Sequence, residues 1–444
     1  METLAAALAT RAGRPLRGRV KPPGDKSISH RALIVGLLCV GETEIEGLLE
    51  GDDILHTAAA CAALGAKVDR RGEGRWSVRG CGIGSLLAPR APLDFGNSGT
   101  GMRLMMGVAA GHAITVTFDG DASLRKRPMQ RILDPLCSMG AEVLTQSPGG
   151  HCPILLKGTS EPVPVEFSPP VASAQIKSAV LFAGLNSPGR TTVIEAEATR
   201  DHTEKMLKYF GASIETEPFG KHGQKITLES RPDLRPARVI VPADPSSAAF
   251  PLVAATIVPR SDIVIEGMMM NPLRTGLLTT LREMGARIDI LDGRVEGGEE
   301  VADLRVRAAP LKGVDVPAAR APSMIDEYPI LAVAAAYASG ETRMRGLAEL
   351  RVKESDRLRA VADGLREAGA ACQIIGDDLT VEGGAGDVAG GGMVATRLDH
   401  RIAMSFLCLG LASRRPMAID DSRMIATSFP EFQTLMEQLG ARFQ

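Results

Sequence analysis

Hydrophobic positions along the 444-residue chain fall into two kinds of run that alternate with a regular period. One kind is apolar nearly all round, rich in alanine and glycine, and opens with polar or charged residues. It recurs six times: "GDKSISHRALIVGLLCVGETEIEG", "GNSGTGMRLMMGVAAGHAITVTFDG", "ASAQIKSAVLFAGLNSPGRTTVIEA", "DPSSAAFPLVAATIVPRSDIVIEG", "IDEYPILAVAAAYASGETRMRG" and "DHRIAMSFLCLGLASRRPMAIDD". A helix with no polar face has to be buried on all sides. The other kind is amphipathic, as in "HTEKMLKYFGASI", and ends in glycine, as a helix C-terminus prefers. A Gly-Ala pair closes this second helix and opens a strand at Gly65, Gly140, Gly211, Gly285, Gly369 and Gly440. The intervals are 75, 71, 74, 84 and 71 residues. So regular a period identifies an internal repeat. It predicts six units of about 75 residues, helix alternating with strand, grouped three plus three into two similar α/β domains.

The polar openings of the buried helices carry the candidate chemistry. They hold Lys26 and Ser27, Asn97 and Thr100, Ser173 and Gln175, Asp244 and Ser246, Asp326 and Glu327, and His400 and Arg401. Ordinary N-capping accounts for the Ser, Asn and Asp residues. Capping does not call for Lys26, Arg31, Gln175, Lys177 or Arg401. A helix start already offers unpaired N–H groups and the positive end of the dipole. Adding cations there makes an anion site, and if the helices converge, a cleft between the domains is its favoured place. "KPPGDKSISHR" is not a nucleotide P-loop. That motif needs glycine directly before the lysine and another five residues earlier, whereas Asp25 precedes Lys26 and the glycine before Gly24 is Gly18.

Bulk composition narrows the ligand class. A formal net charge of -2, with three Tyr and one Trp, argues against nucleic-acid binding. Seven scattered cysteines without CxxC spacing read as reduced thiols of a cytoplasmic protein, with no metal site and no cofactor. The strongest apolar runs, such as "ILAVAAAYA", are far shorter than the roughly 20 residues of a membrane span. The first 20 residues, with four arginines and one acid, read as a lead-in to a first strand.

"GDKSISHR", "GNSGTGMR", "RKRPM", "SAQIKSA", "TRDHTEKM", "IDEYP", "RVKESDR" and "LDHRIAMSF" follow in that order. Together they closely resemble the 5-enolpyruvylshikimate-3-phosphate synthase family, from about residue 15 to the end. "SAQIK" and "RDHTE" resemble the branch that includes glyphosate-tolerant bacterial enzymes. The resemblance implies two domains, each of three βαβαββ units, with the active site in the interdomain cleft. It assigns residues 1–22 plus 243–444 to one domain, on the phosphoenolpyruvate side, and 23–242 to the other, on the shikimate 3-phosphate side. A monomer is expected.

The family reaction moves the enolpyruvyl group of phosphoenolpyruvate to the 5-hydroxyl of shikimate 3-phosphate in the pathway to chorismate. By similarity, Ser27, Arg31, Ser173, Arg200 and Lys353 would hold shikimate 3-phosphate. Arg127, Gln175, Arg357 and Arg401 would hold phosphoenolpyruvate, and Lys26 would touch both. Asn97, Gly99 and His400 complete the expected substrate-binding set. Asp326 would bind the reacting hydroxyl, with Glu354 and Lys26 as proton-transfer partners. Glyphosate would occupy the phosphoenolpyruvate site. The chain departs from many relatives at Ala174, where a second serine is common, and at Thr427, where lysine is common. In "NPLRTG", Leu273 also breaks a pattern of the tolerant branch. The related UDP-N-acetylglucosamine enolpyruvyl transferases typically have a reactive cysteine near "RKRPM", and none stands between Cys81 and Cys137. A non-catalytic anion binder would gain nothing from Asp326 and Glu354.

Overall fold

The computed structural model describes residues 14–444 and, as backbone, the short strand Ala7–Ala9. The remainder of the N-terminal lead-in lies outside the described residues. The chain divides into two compact units. The first comprises 1–23, 243–295 and 300–444, and the second comprises 24–242 with 296–299.

Five four-stranded sheets share one plan. In the sheet of Leu93–Asp94, Thr115–Asp119, His151–Lys157 and Glu142–Ser147, the first pair is parallel and the other two are antiparallel. A parallel pair needs a crossover, and the buried helix Gly99–Ala110 supplies it. The amphipathic helix Gln130–Ser138 then leads into the hairpin. Two sheets borrow their first strand from far along the chain. Arg17–Val20 pairs with Asp262–Met269, and Arg238–Ile240 pairs with Val40–Glu46.

Glycine explains the six-fold marker. Gly65, Gly140, Gly211, Gly285, Gly369 and Gly440 all have positive φ, between +76° and +114°, where an L side chain is strained. The sixth copy departs from expectation, because among the described residues only a bridge at Phe443, and no strand, follows Gly440. That sheet has three strands: Ala7–Ala9, Met417–Ile419 and Met393–Val394. Ala7–Ala9 takes the antiparallel place beside Met417–Ile419 that a hairpin strand takes in the other sheets.

The buried helices are Lys26–Leu37, Gly99–Ala110, Ala174–Gly184, Pro245–Ile257, Tyr328–Tyr337 and His400–Gly410. All ten residues of Tyr328–Tyr337 are buried. A Cβ on Gly107 would lie 2.3 Å from the Ala179 carbonyl oxygen, so two of these helices touch through their backbones.

His30, on the first buried helix, is fully buried and hydrogen-bonds through Nδ1 to Thr57 Oγ1 at 2.8 Å. Burial pushes its pKa down to about 3, with Asp53 opposing and Lys26 and Arg31 assisting. An unfolded histidine titrates near 6.5, so below that pH the unfolded chain binds a proton the folded chain refuses. The stability this contributes is complete above pH 6.5 and is lost as pH falls towards 3. His30→Gln should therefore reduce the loss of stability between pH 6 and pH 5 by about 1 kcal/mol. Urea titrations followed by Trp76 fluorescence, which reports on the same unit, test this. Equal losses in both proteins would refute it.

Candidate functional site

In the unit of residues 24–242, each polar helix start is locally built. Asp25 caps the first helix by accepting from the Ile28 N–H at 2.8 Å, and the next residue, Lys26, ion-pairs with Asp53. Ser27 follows in the same turn. One turn on, Arg31 is buried. It donates to Thr203 Oγ1 at 2.7 Å, Ser178 Oγ at 3.0 Å and the Ser27 carbonyl at 3.0 Å. Burial lowers its pKa to about 10, which leaves it charged at neutral pH.

Ser98 caps the Gly99 helix. Asn97 donates to Asp121 at 2.9 Å and accepts from the Arg127 guanidinium. Gly99 leaves room for two cations: a Cβ there would lie 3.1 Å from Arg127 Nη1 and 3.2 Å from Arg103 Nη1. Ser173 caps the next helix, and Gln175 in its first turn is fixed at both ends. Its oxygen accepts from Arg103 at 2.8 Å and its nitrogen donates to Thr100 at 2.9 Å. Arg200 stands just before the helix His202–Tyr209. Burial, reinforced by Arg131 and Arg127, pulls Arg103 down to about 9. Arg31, Arg103 and Arg127 have no carboxylate at ion-pair distance among the described residues. Their charges are held by hydroxyl, amide and carbonyl oxygens.

Lys177 does not join them. Reading it as an anion-binding cation was wrong. It is buried, with its ammonium 2.9 Å from Glu195 and 2.7 Å from Glu204.

In the other unit, Arg357 organises a cluster around itself. It is almost fully buried and contacts Asp399 at 2.8 Å, Asp326 at 3.2 Å and Glu354 at 2.5 Å. Lys353 Nζ lies 3.6 Å from Asp326. The string "RVKESDR" is a 3-10 turn, Ala348–Val352, then a bend that presents Lys353 and Glu354, then a helix starting at Arg357. Burial would raise the Glu354 carboxyl, but the Arg357 and Lys353 cations outweigh it and hold it well below the usual range. Arg401 donates to the Asp326 carbonyl at 3.3 Å. His400 is neutral, pushed down to about 3 by burial and by Arg401.

Sequence reasoning missed Asp53, Arg103 and Asp399. Arg103 stood in view within "GNSGTGMR", and Asp399 within "LDHR", where it reads as an ordinary cap. Arg274, from the imperfect "NPLRTG", is buried against Asp244 at 3.0 Å and Ser246 at 3.2 Å. Thr427 donates to the Met424 carbonyl. Asp201, His202 and Glu299 come close enough together to suggest a metal site. Lys205 already supplies the cation, 3.1 Å from Glu299 and 3.5 Å from Asp201.

Residues 10–436 match the family model described as EPSP synthase (3-phosphoshikimate 1-carboxyvinyltransferase). The 3-phosphoshikimate 1-carboxyvinyltransferase of Methylobacterium sp. (strain 4-46) is 66% identical over 438 residues, covering 98% of both chains. That of Bradyrhizobium sp. (strain ORS 278) is 64% identical over 436 residues, again 98% of both. Among solved structures, an EPSP synthase from Acinetobacter baumannii aligns with a TM-score of 0.90 at 40% identity, covering 99% of each chain. The repeat plan, the polar helix starts and these matches agree across almost the whole length, and the chain belongs to the EPSP synthase family.

Proposed function

We propose that the polar helix starts of the two units serve one reaction, with the residue roles that the family resemblance implies. The reaction is the family's: the enolpyruvyl group of phosphoenolpyruvate passes to the 5-hydroxyl of shikimate 3-phosphate, and phosphate leaves. The observation that carries the residue assignment is the set of guanidinium groups without carboxylate partners among the described residues, Arg31, Arg103 and Arg127, in a protein of formal net charge -2. The substrates bring two phosphates and two carboxylates. Arginine's planar fork suits both groups.

Ser27, Arg31, Ser173, Arg200 and Lys353 take shikimate 3-phosphate. Arg127, Gln175, Arg357 and Arg401 take phosphoenolpyruvate, and Lys26 serves both. Asp326 accepts the proton of the 5-hydroxyl as its oxygen bonds to C2 of phosphoenolpyruvate, while C3 gains a proton from Glu354 or Lys26. Elimination reverses the proton traffic: C3 loses a proton, the C2–O bond to phosphate breaks, and the double bond re-forms. All seven cysteines are free thiols, which fits a cytoplasmic enzyme. No helix among the described residues is long and apolar enough to cross a membrane.

Glu354 enters this cycle ionised, since cations hold its carboxyl down. Substrate anions that pair with Arg357 and Lys353 compete for those cations and lift the Glu354 pKa. Assembly of a dead-end complex, from shikimate 3-phosphate and an unreactive phosphoenolpyruvate analogue, should therefore take up protons. Calorimetry at pH 7 in two buffers of different ionisation enthalpy measures the uptake, and Glu354→Gln should abolish it. Uptake that persists unchanged in the variant would assign it elsewhere.

Asp326→Ala should lower kcat by at least about a hundredfold, with a smaller effect on substrate affinity. Near-normal turnover in steady-state assays would exclude the role.

Gly99→Ala tests the inhibitor. The added methyl presses on Arg127 and Arg103, so the KM for phosphoenolpyruvate should rise. Glyphosate, longer than the substrate it replaces, should lose more, with its inhibition constant rising at least about tenfold, or roughly 1.4 kcal/mol. Equal shifts in the two constants would mean general damage to the site.

A further inference from the structure

Lys177 is the cation that the site does not use. Its ammonium hydrogen-bonds to Glu195 at 2.9 Å and to the Thr199 carbonyl at 3.2 Å, and ion-pairs with Glu204 at 2.7 Å. It sits in the first turn of the helix Ala174–Gly184, close after Ser173 and Gln175. Its three partners bracket Arg200 from both sides in sequence. Glu195 ends the strand Thr191–Glu195, Thr199 is the residue before Arg200, and Glu204 lies in the first turn of His202–Tyr209. Glu195 reinforces the grip by accepting from the Thr199 N–H and hydroxyl, and from Gln224 at 2.8 Å.

A buried ion pair is poor support for stability, because desolvation cancels much of the attraction, so its retention asks for another reason. Here the pair ties two segments that both face Arg31. Ser178 and Thr203 hydrogen-bond each other at 2.7 Å, and each also accepts from the Arg31 guanidinium. Among the described residues Arg31 has no carboxylate at ion-pair distance, and Glu204 is the largest charge favouring its ionised form. Burial leaves the Glu204 carboxyl above the usual range, with Lys177 opposing it.

We propose that Lys177, through Glu204 and the Thr199 carbonyl, is a positioning residue for shikimate 3-phosphate: it holds the segment carrying Arg200 against the helix start carrying Ser173. The proposal rests on the assignment of Arg31 and Arg200 to that substrate. Gln175 has its own anchors in Arg103 and Thr100, so the phosphoenolpyruvate side should be little affected.

Glu204→Gln keeps the side-chain volume and removes one charge. The double variant Lys177→Met/Glu204→Leu removes the ammonium and one of its two carboxylates, and leaves Glu195 with the Thr199 N–H and hydroxyl and Gln224 as its hydrogen-bond partners. Steady-state kinetics with both substrates, beside thermal melts, are measured for these two, for wild type and for Arg200→Ala. The expected result is a KM for shikimate 3-phosphate raised at least about fivefold in Glu204→Gln and about tenfold in the double variant. The KM for phosphoenolpyruvate and kcat should stay within about threefold. A folded variant of either kind with a wild-type KM for shikimate 3-phosphate, or with all constants moved together, overturns the proposal. If Arg200→Ala leaves that KM unchanged, the substrate assignment fails and the proposal with it. If Arg200→Ala raises it and the pair variants do not, the proposal alone fails. Should the double variant not fold, Glu204→Gln decides.

Discussion

Backbone contact between buried helices is the constraint from which the rest follows. Where Gly107 meets the Ala179 carbonyl there is no room even for a methyl group, and a helix such as Tyr328–Tyr337 has no face that meets water. Helix bodies of this kind hold mainly small and apolar residues beyond their first two turns. Function is thereby pushed to their ends. Of the two ends, the N-terminus offers unpaired N–H groups and a positive dipole, the match for phosphate and carboxylate. The repeated location of chemistry at helix starts is thus a packing result before it is a catalytic one.

The two units solve the charge problem differently. Residues 24–242 keep Arg31, Arg103 and Arg127 charged by surrounding them with neutral oxygens, an arrangement that an incoming anion can complete without first breaking an ion pair. In the other unit Arg357 is surrounded by Asp326, Glu354 and Asp399, and burial is outweighed by mutual attraction. An anion arriving there has to compete with carboxylates already in place. On the proposed residue roles, that competition would couple substrate binding to the protonation of Glu354.

Much of the fold was legible because its period is written in two residue types whose physics is local. Glycine at the end of each amphipathic helix takes a positive φ, and alanine-rich runs have to be buried. The sixth sheet is completed non-locally: the antiparallel partner of Met417–Ile419 is Ala7–Ala9, from the other end of the chain, which no local pattern announces. The same division holds among site residues. Ser173 and Asp25 announce themselves as caps, and the cations at helix starts exceed what capping needs. Lys177 obeyed the same rule in sequence and departed from it in structure, because its partners Glu195 and Glu204 lie 18 and 27 residues away, on a strand and another helix. Arg103 and Asp399 were missed for the opposite reason. Nothing in one sequence distinguishes a buried arginine held by Gln175 from a surface one, or a cap that also grips Arg357 from a plain cap.

The borrowed first strands bear on how the chain is made. The sheet of residues 93–157 draws all its strands from one short stretch and can close soon after that stretch emerges from the ribosome. Arg17–Val20 has to wait for Asp262–Met269, its partner 245 residues later. At about 5–20 residues per second, that wait is roughly 12 to 50 s. During it the nascent strand Arg17–Val20 lacks its ladder partner, while the polypeptide between them has time to fold into a unit of its own.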